Sequence, residues 1–191
     1  MSTIKPKFNY PSKTNVESLN NHLNQNFNVT SPNKVWVSDI TYIKTSDGFK
    51  YLCIILDLYS RKIVSWKVSK RMTSQLLCDT LIQAVALRKP DNKKMFHSDR
   101  GSQYTSFEFR KLIDKYNMLQ SFSKKSHPWD NAVAESFFKF MKHEELNRKN
   151  YSNIEELKKS IFSYIDGFYN PYRPHSYNDG LSPNEKEDLL K

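Results

Sequence analysis

Hydrophobic side chains stand on both sides of an alternating stretch from Val35 to Lys44, with Val35, Val37, Asp39, Thr41 and Ile43 on one face and Trp36, Ile40 and Tyr42 on the other. A strand apolar on both faces belongs in the middle of a sheet covered above and below. The Asp47-Gly48 pair predicts a reversal into a second strand, Phe49 to Asp57, and the Ser60-Arg61 turn leads to a third, Lys62 to Val68, which completes an antiparallel meander. Thr73 is placed to cap a helix whose apolar positions Leu76, Leu77, Leu81, Ile82 and Val85 recur at helical spacing. Beyond it strands and helices alternate. Met95 to Ser98 reads as a short strand, Thr105-x-x-Glu108 as a capping box opening a helix through Tyr116, and Leu119 to Phe122 as the last strand. Asp130 or Asn131 can cap the next helix, which carries Glu135 and runs to about Arg148. Ser152-x-x-Glu155 is a second capping box, starting a helix to about Phe168 that stops before Asn170-Pro171. Three antiparallel strands followed by α-β-α-β-α predict an α/β domain, a five-stranded mixed sheet flanked by helices, over residues 32–191. Residues 1–31, rich in Asn, Lys, Ser and Thr, read as a polar N-terminal linker or arm.

Charge narrows the partners. The 191 residues hold 30 Lys and Arg against 20 Asp and Glu, a formal charge of +10, which favours a polyanion and nucleic acid first. A membrane partner is disfavoured, because the most apolar run, Tyr51 to Leu56, is far short of a span and Asp57 ends it. No signal peptide is visible at Met1, and Cys53 and Cys78 sit in apolar patterns without metal or disulfide spacing. The expected setting is a reducing, cytoplasmic one.

Three acids supply the candidate chemistry. Asp39 lies inside VWVSDITYI, where a buried carboxylate is costly unless a cation meets it. Asp99 ends a short apolar run at the Arg100-Gly101 turn, and Glu135 sits one turn into a helical pattern. Convergence from strand, strand end and helix would suit a magnesium site handling phosphates.

The segments carrying these acids form an ordered set: DITYI at 39–43, LDLYSRKIVSW at 56–66, HSDRGSQYTS at 97–106, WDNAVAESFF at 129–138, and YNPYRPH with LSP at 169–183. This set closely resembles the integrase-core DDE transposases of bacterial insertion sequences, nearest the second-frame products of the insertion-sequence-three group, with retroviral integrase a more distant cousin. Positions 100–134, thirty-five residues, separate Asp99 from Glu135, which is the spacing of that group.

The resemblance implies an RNase H-like fold and metal-dependent DNA strand cleavage followed by 3′-OH strand transfer. It also implies Asp39, Asp99 and Glu135 as catalytic ligands of two divalent ions, magnesium with manganese as a substitute. Lys142, seven residues after Glu135, and Lys139 between them would share its helical face and hold the DNA backbone. Arg100, Gln103, Lys124, Lys125 and Arg173 extend the candidate DNA contacts, and His97 and Asn131 are candidates to support the acids from behind. Trp129 and the phenylalanines 137, 138 and 140 read chiefly as core, with base stacking the alternative. Relatives act as multimers on paired DNA ends, so self-association on DNA in the bacterial nucleoid is expected. They also carry helical DNA-binding segments ahead of the core that the polar first 31 residues do not match. Two alternatives therefore stand: a nuclease that cuts without joining, and an idle DNA-binding or regulatory fragment.

Overall fold

The computed structural model describes residues 19–90, 94–124 and 128–190. Its five strands are β1 (Val35–Thr45), β2 (Gly48–Asp57), β3 (Ile63–Ser69), β4 (Lys94–Ser98) and β5 (Met118–Phe122), in spatial order β3-β2-β1-β4-β5. β1 to β3 form the expected antiparallel meander, and β4 and β5 add in parallel on the other side of β1. The helices are α1 (Ser74–Arg88), α2 (Phe107–Lys115), α3 (Ala132–Glu144), α4 (Ile154–Tyr164), the short α5 (Asn170–Tyr172) and α6 (Pro183–Asp188).

The two-sided hydrophobicity of β1 and β2 is satisfied by two separate cores. Val37 and Ile43 of β1, with Leu52, Ile54 and Leu56 of β2, pack against α3 and α4. Trp36, Cys53 and Ile55 face α1 and α2. Residues 52–56 are fully buried, and each Leu or Ile there contributes roughly 1.5–3 kcal/mol of burial. Both cysteines are free and buried, as their apolar surroundings predict. Leu23 of the N-terminal arm is also buried, and the Asn20 carbonyl accepts the Phe122 N–H, so the described part of the arm is docked along β5. Among the described residues no helix is long and apolar enough to cross a membrane.

Several helix ends differ from their sequence signals. Thr73 does cap α1, accepting the Leu76 N–H, but Ile82 on that helix is 44% exposed. The cap of α2 is Ser106 rather than Thr105, because its hydroxyl reaches the Phe109 N–H. Likewise Asn153, not Ser152, caps α4, its carbonyl oxygen accepting the N–H groups of both Glu155 and Glu156. The predicted stop before Asn170-Pro171 is also corrected. α4 widens into a π-helical turn over Ile165–Tyr169 and continues through Pro171 in α5. The wider turn relieves the clash a proline ring makes with the carbonyl four residues back in a regular α-helix.

Asn170 then closes the end of β3. Its side chain donates to the Ile63 carbonyl and accepts the Ile63 N–H, both at 3.0 Å, replacing a strand partner. α6 is fastened by Glu187, which meets Arg88, Lys62 and Ser60.

Candidate active site

β1 and β4 pair in parallel only from Val35↔Met95 to Val37↔His97 and then part. Two residues past that last pair stand Asp39 on one strand and Asp99 just beyond the other. Such a notch between diverging parallel strands is where open α/β sheets bind ligands. Asp39 shares its β1 face with Val37 and Ile43, the face covered by α3, and Glu135 lies in the first turn of that helix.

Asp99 and Glu135 therefore both act on Asp39. Burial pushes Asp39 up to about 7, and the negative charges of Asp99 and Glu135 add to the rise. The Ile40 N–H and the Lys142 ammonium oppose it. Asp39 Oδ1 accepts the Ile40 N–H at 2.8 Å, and Asp99 Oδ1 accepts the Gly101 N–H at 2.9 Å. A side chain at 101 would bring its Cβ to 3.0 Å from that oxygen, so glycine lets the turn close on the acid.

The donor set fits a hard divalent cation. Three carboxylates with one lysine nearby leave the notch short of positive charge, and carboxylate oxygens are magnesium and manganese ligands. Among the described residues no three His, Cys, Asp or Glu side chains enclose an ion as they stand. Magnesium does not require such a cage, since it is commonly held by one or two carboxylates together with waters and substrate phosphates.

The remaining candidates divide. Lys139 is exposed on the Glu135 face of α3, and Lys142 reaches Asp39 electrostatically while its ammonium sits 5.3 Å from the Tyr42 ring centroid. Lys124 is exposed. Lys125 lies outside the described residues. The Arg100 guanidinium is turned to the backbone, donating to the Ser123 and Leu19 carbonyls. Gln103 is half-buried and reaches the Met72 carbonyl at 3.5 Å. Arg173 pairs with Glu144 and crosses the Phe140 ring. Asn131 offers no cap to α3; its amide donates toward the Ser38 carbonyl beside Asp39. Asp130 instead accepts from Asn21, Gln25 and the Lys124 N–H, tying the arm to the start of α3. Phe137 and Phe138 are core, whereas Trp129 is 70% exposed.

His97 is fully buried, with Nδ1 2.9 Å from the Ser121 hydroxyl and Nε2 3.2 Å from that of Ser123. Burial pushes its pKa from 6.5 down to about 4. Because the folded value lies below the unfolded one, its contribution to stability is present above pH 6.5 and lost as pH falls toward 4. We expect acidification across that window to cost the wild type on the order of 3 kcal/mol through this residue. Urea unfolding at pH 7 and pH 4.5 with EDTA present checks it, since His97→Gln should show a smaller drop than wild type.

Sequence reasoning passed over Tyr104. Its buried hydroxyl is 3.0 Å from that of Ser38, next to Asp39, so it anchors the HSDRGSQYTS loop against β1. A large aromatic inside a glycine- and serine-rich turn was the available signal.

The integrase core domain family model matches residues 29–128, and a second integrase core domain model matches residues 113–183. The transposase for insertion sequence element IS904 of Lactococcus lactis subsp. lactis (strain IL1403) is 41% identical over 167 residues, 87% of this chain and 66% of that protein. Transposase InsF for insertion sequence IS3A of Escherichia coli (strain K12) is 39% identical over 168 residues, 88% of this chain and 58% of that protein. The chain thus spans less than two thirds of the length of these relatives. In three dimensions it resembles the HTLV-2 integrase catalytic core domain in complex with magnesium, with TM-score 0.62, 20% identity, and coverage of 82% of this chain and 97% of that one. The catalytic domain of Mos1 mariner transposase gives TM-score 0.60 at 15% identity, over 71% of each chain. These likenesses show the RNase H-like fold. By the family match along its sequence, the chain belongs to the integrase core domain family, alongside the transposases of bacterial insertion sequences.

Proposed function

We propose that this chain is the catalytic domain of a DDE transposase, cleaving DNA strands and joining a 3′-OH end to a second strand. The observation that carries the reading is the placement of Asp39 and Asp99 where β1 and β4 part, with Glu135 in the first turn of the helix that covers that face. Asp39, set deepest, would be the ligand shared by two divalent ions, with Asp99 and Glu135 each favouring one. When bound, magnesium or manganese ions supply an activated oxygen nucleophile at neutral pH and neutralise charge building on the phosphate.

The protein side chains do the rest. Lys142 and Lys139, along the same helix as Glu135, hold the DNA backbone by charge, which gives affinity without sequence choice. The Tyr42 ring beside Lys142 limits where that ammonium can go. The loop at 99–104 is kept in place from below by Tyr104 and from within by the Gly101 N–H on Asp99. DNA is the proposed partner, with self-association on it, in the bacterial cytoplasm.

The test is a joining assay with labelled DNA carrying a pre-exposed 3′-OH end, run in magnesium and then manganese. Joined product that disappears in Glu135→Gln is the expected outcome. Cleavage without joining would replace this reading by a nuclease, and binding with neither activity would replace it by a regulatory fragment.

A further inference from the structure

A cavity of about 280 Å³ lies on the flank of α3 turned away from the Lys142 side, between that helix, the turn before β3 and the segment after α5. Ser136 at its rim follows Glu135 directly, one 100° step around the helix. Its walls are aromatic: Phe137, Phe140, Tyr169 and Tyr177.

Two buried polar atoms in this wall lack a hydrogen-bond partner among the described residues. Arg61 is 7% exposed, adopts a left-handed backbone with φ 64°, and stacks its guanidinium 3.6 Å from the Tyr177 ring centroid. Its Nη2 reaches the Phe27 carbonyl at 3.4 Å, while Nη1 is buried without a hydrogen-bond partner among the described residues. Nε2 of His175 is also buried and unpartnered, and its ring packs edge-on against Tyr169. Among the described residues Arg61 forms no ion pair with a carboxylate. Asp57 attracts the guanidinium without touching it. A buried guanidinium with no carboxylate in contact is costly, and an incoming anion would offset that cost.

An anion with a flat, apolar body satisfies both the donors and the rings. The volume lies just below the roughly 300–1,000 Å³ of ordinary ligand sites and so suits one small unit. A chain of formal charge +10 attracts polyanions, and the flat anionic unit of such partners is a nucleotide. We propose that this cavity binds a single nucleotide, its phosphate on Arg61 and His175 and its base against the aromatic wall. The nucleotide comes either from solution or by extrusion from a DNA strand held at the neighbouring carboxylates. The second source rests on the transposase reading, and the first does not.

Calorimetric titration of the whole chain in EDTA with the four deoxynucleoside monophosphates, the matching nucleosides and inorganic phosphate tests the first source. Fluorescence of duplexes bearing one unpaired 2-aminopurine near the end tests the second. The variants are Ser136→Glu, which sets a carboxylate at the exposed rim, and Arg61→Gln. Monophosphates binding at least tenfold more tightly than nucleosides, and at least tenfold more weakly to Ser136→Glu with an unchanged thermal midpoint, is the expected result. A 2-aminopurine signal lost in both variants, without free-nucleotide binding, also supports the site and identifies the strand as its source. Inorganic phosphate binding as tightly as the monophosphates would overturn the nucleotide assignment. So would no monophosphate binding together with a 2-aminopurine signal unchanged in Ser136→Glu. Since the calorimetry involves no metal and no chemistry, failure of the joining assay leaves it readable.

Discussion

Asp39→Asn is expected to lower the proposed DNA cleavage and joining by a factor on the order of 10³ or more, with the fold retained. The substitution keeps the side-chain volume and one oxygen that can still accept the Ile40 N–H at the Oδ1 position, so local structure has little reason to change. What disappears is the negative charge deepest in the notch, the one on which Asp99 and Glu135 both act. Charge stabilisation of a phosphoryl transition state by a held cation is worth several kcal/mol, and about 4 kcal/mol is a factor of about 10³. Asp57 makes the contrast clear. Burial pushes it up to about 6 as well, yet its two oxygens accept the Asn33 and Tyr59 N–H groups, so it is committed to the chain around it. The measurement is single-turnover joining at saturating magnesium, with circular dichroism to verify folding. Retention of more than a tenth of the wild-type rate would remove Asp39 from the proposed chemistry.

Arg173→Ala is expected to cost about 3 kcal/mol of stability, or some 6–12 °C in midpoint for a chain of this size. Glu144 is the last residue of α3 and takes the Arg173 guanidinium through both Nε and Nη2, at 3.0 and 2.6 Å. The pair is largely sheltered, with side chains 14% and 27% exposed. Tyr164 donates a further hydrogen bond to the same carboxylate at 2.6 Å, and the guanidinium carbon lies 4.4 Å from the Phe140 ring centroid. Removing the arginine leaves a half-buried carboxylate and an uncovered ring, while lysine cannot reproduce the forked contact. Arg173→Lys should therefore recover only part of the loss, and the double variant with Glu144→Gln should lose less than the two single losses added. If Arg173 instead held DNA, its removal would lower the salt dependence of DNA binding by about one phosphate contact. We expect that slope to be unchanged at matched folded fraction.

Much of the architecture was determined by local order in the sequence. Two-sided hydrophobicity marked β1 and β2 as central because side chains alternate faces at a period of two whatever surrounds them. The Asp47-Gly48 turn and the helical spacing in α1 are likewise properties of neighbouring residues. The three acids stood out because each sat in a setting that made a charge conspicuous, and their flanking segments carried the family.

The tertiary structure alone decided what those residues meet. Thr105 and Ser106 are both competent caps, and only the path of the chain into α2 selects the second. His97 faces two serines from β5 and its end, and Asn170 completes a strand 107 residues away. Arg173 finds Glu144 twenty-nine positions back, where the family resemblance had made it a candidate DNA contact. That Arg61 Nη1 is left without a partner among the described residues has no signature in the chain at all. Periodicity reports the environment a residue needs, whereas the partner that supplies it is chosen when distant segments pack, and charge and hydrogen bonds are settled only at that stage.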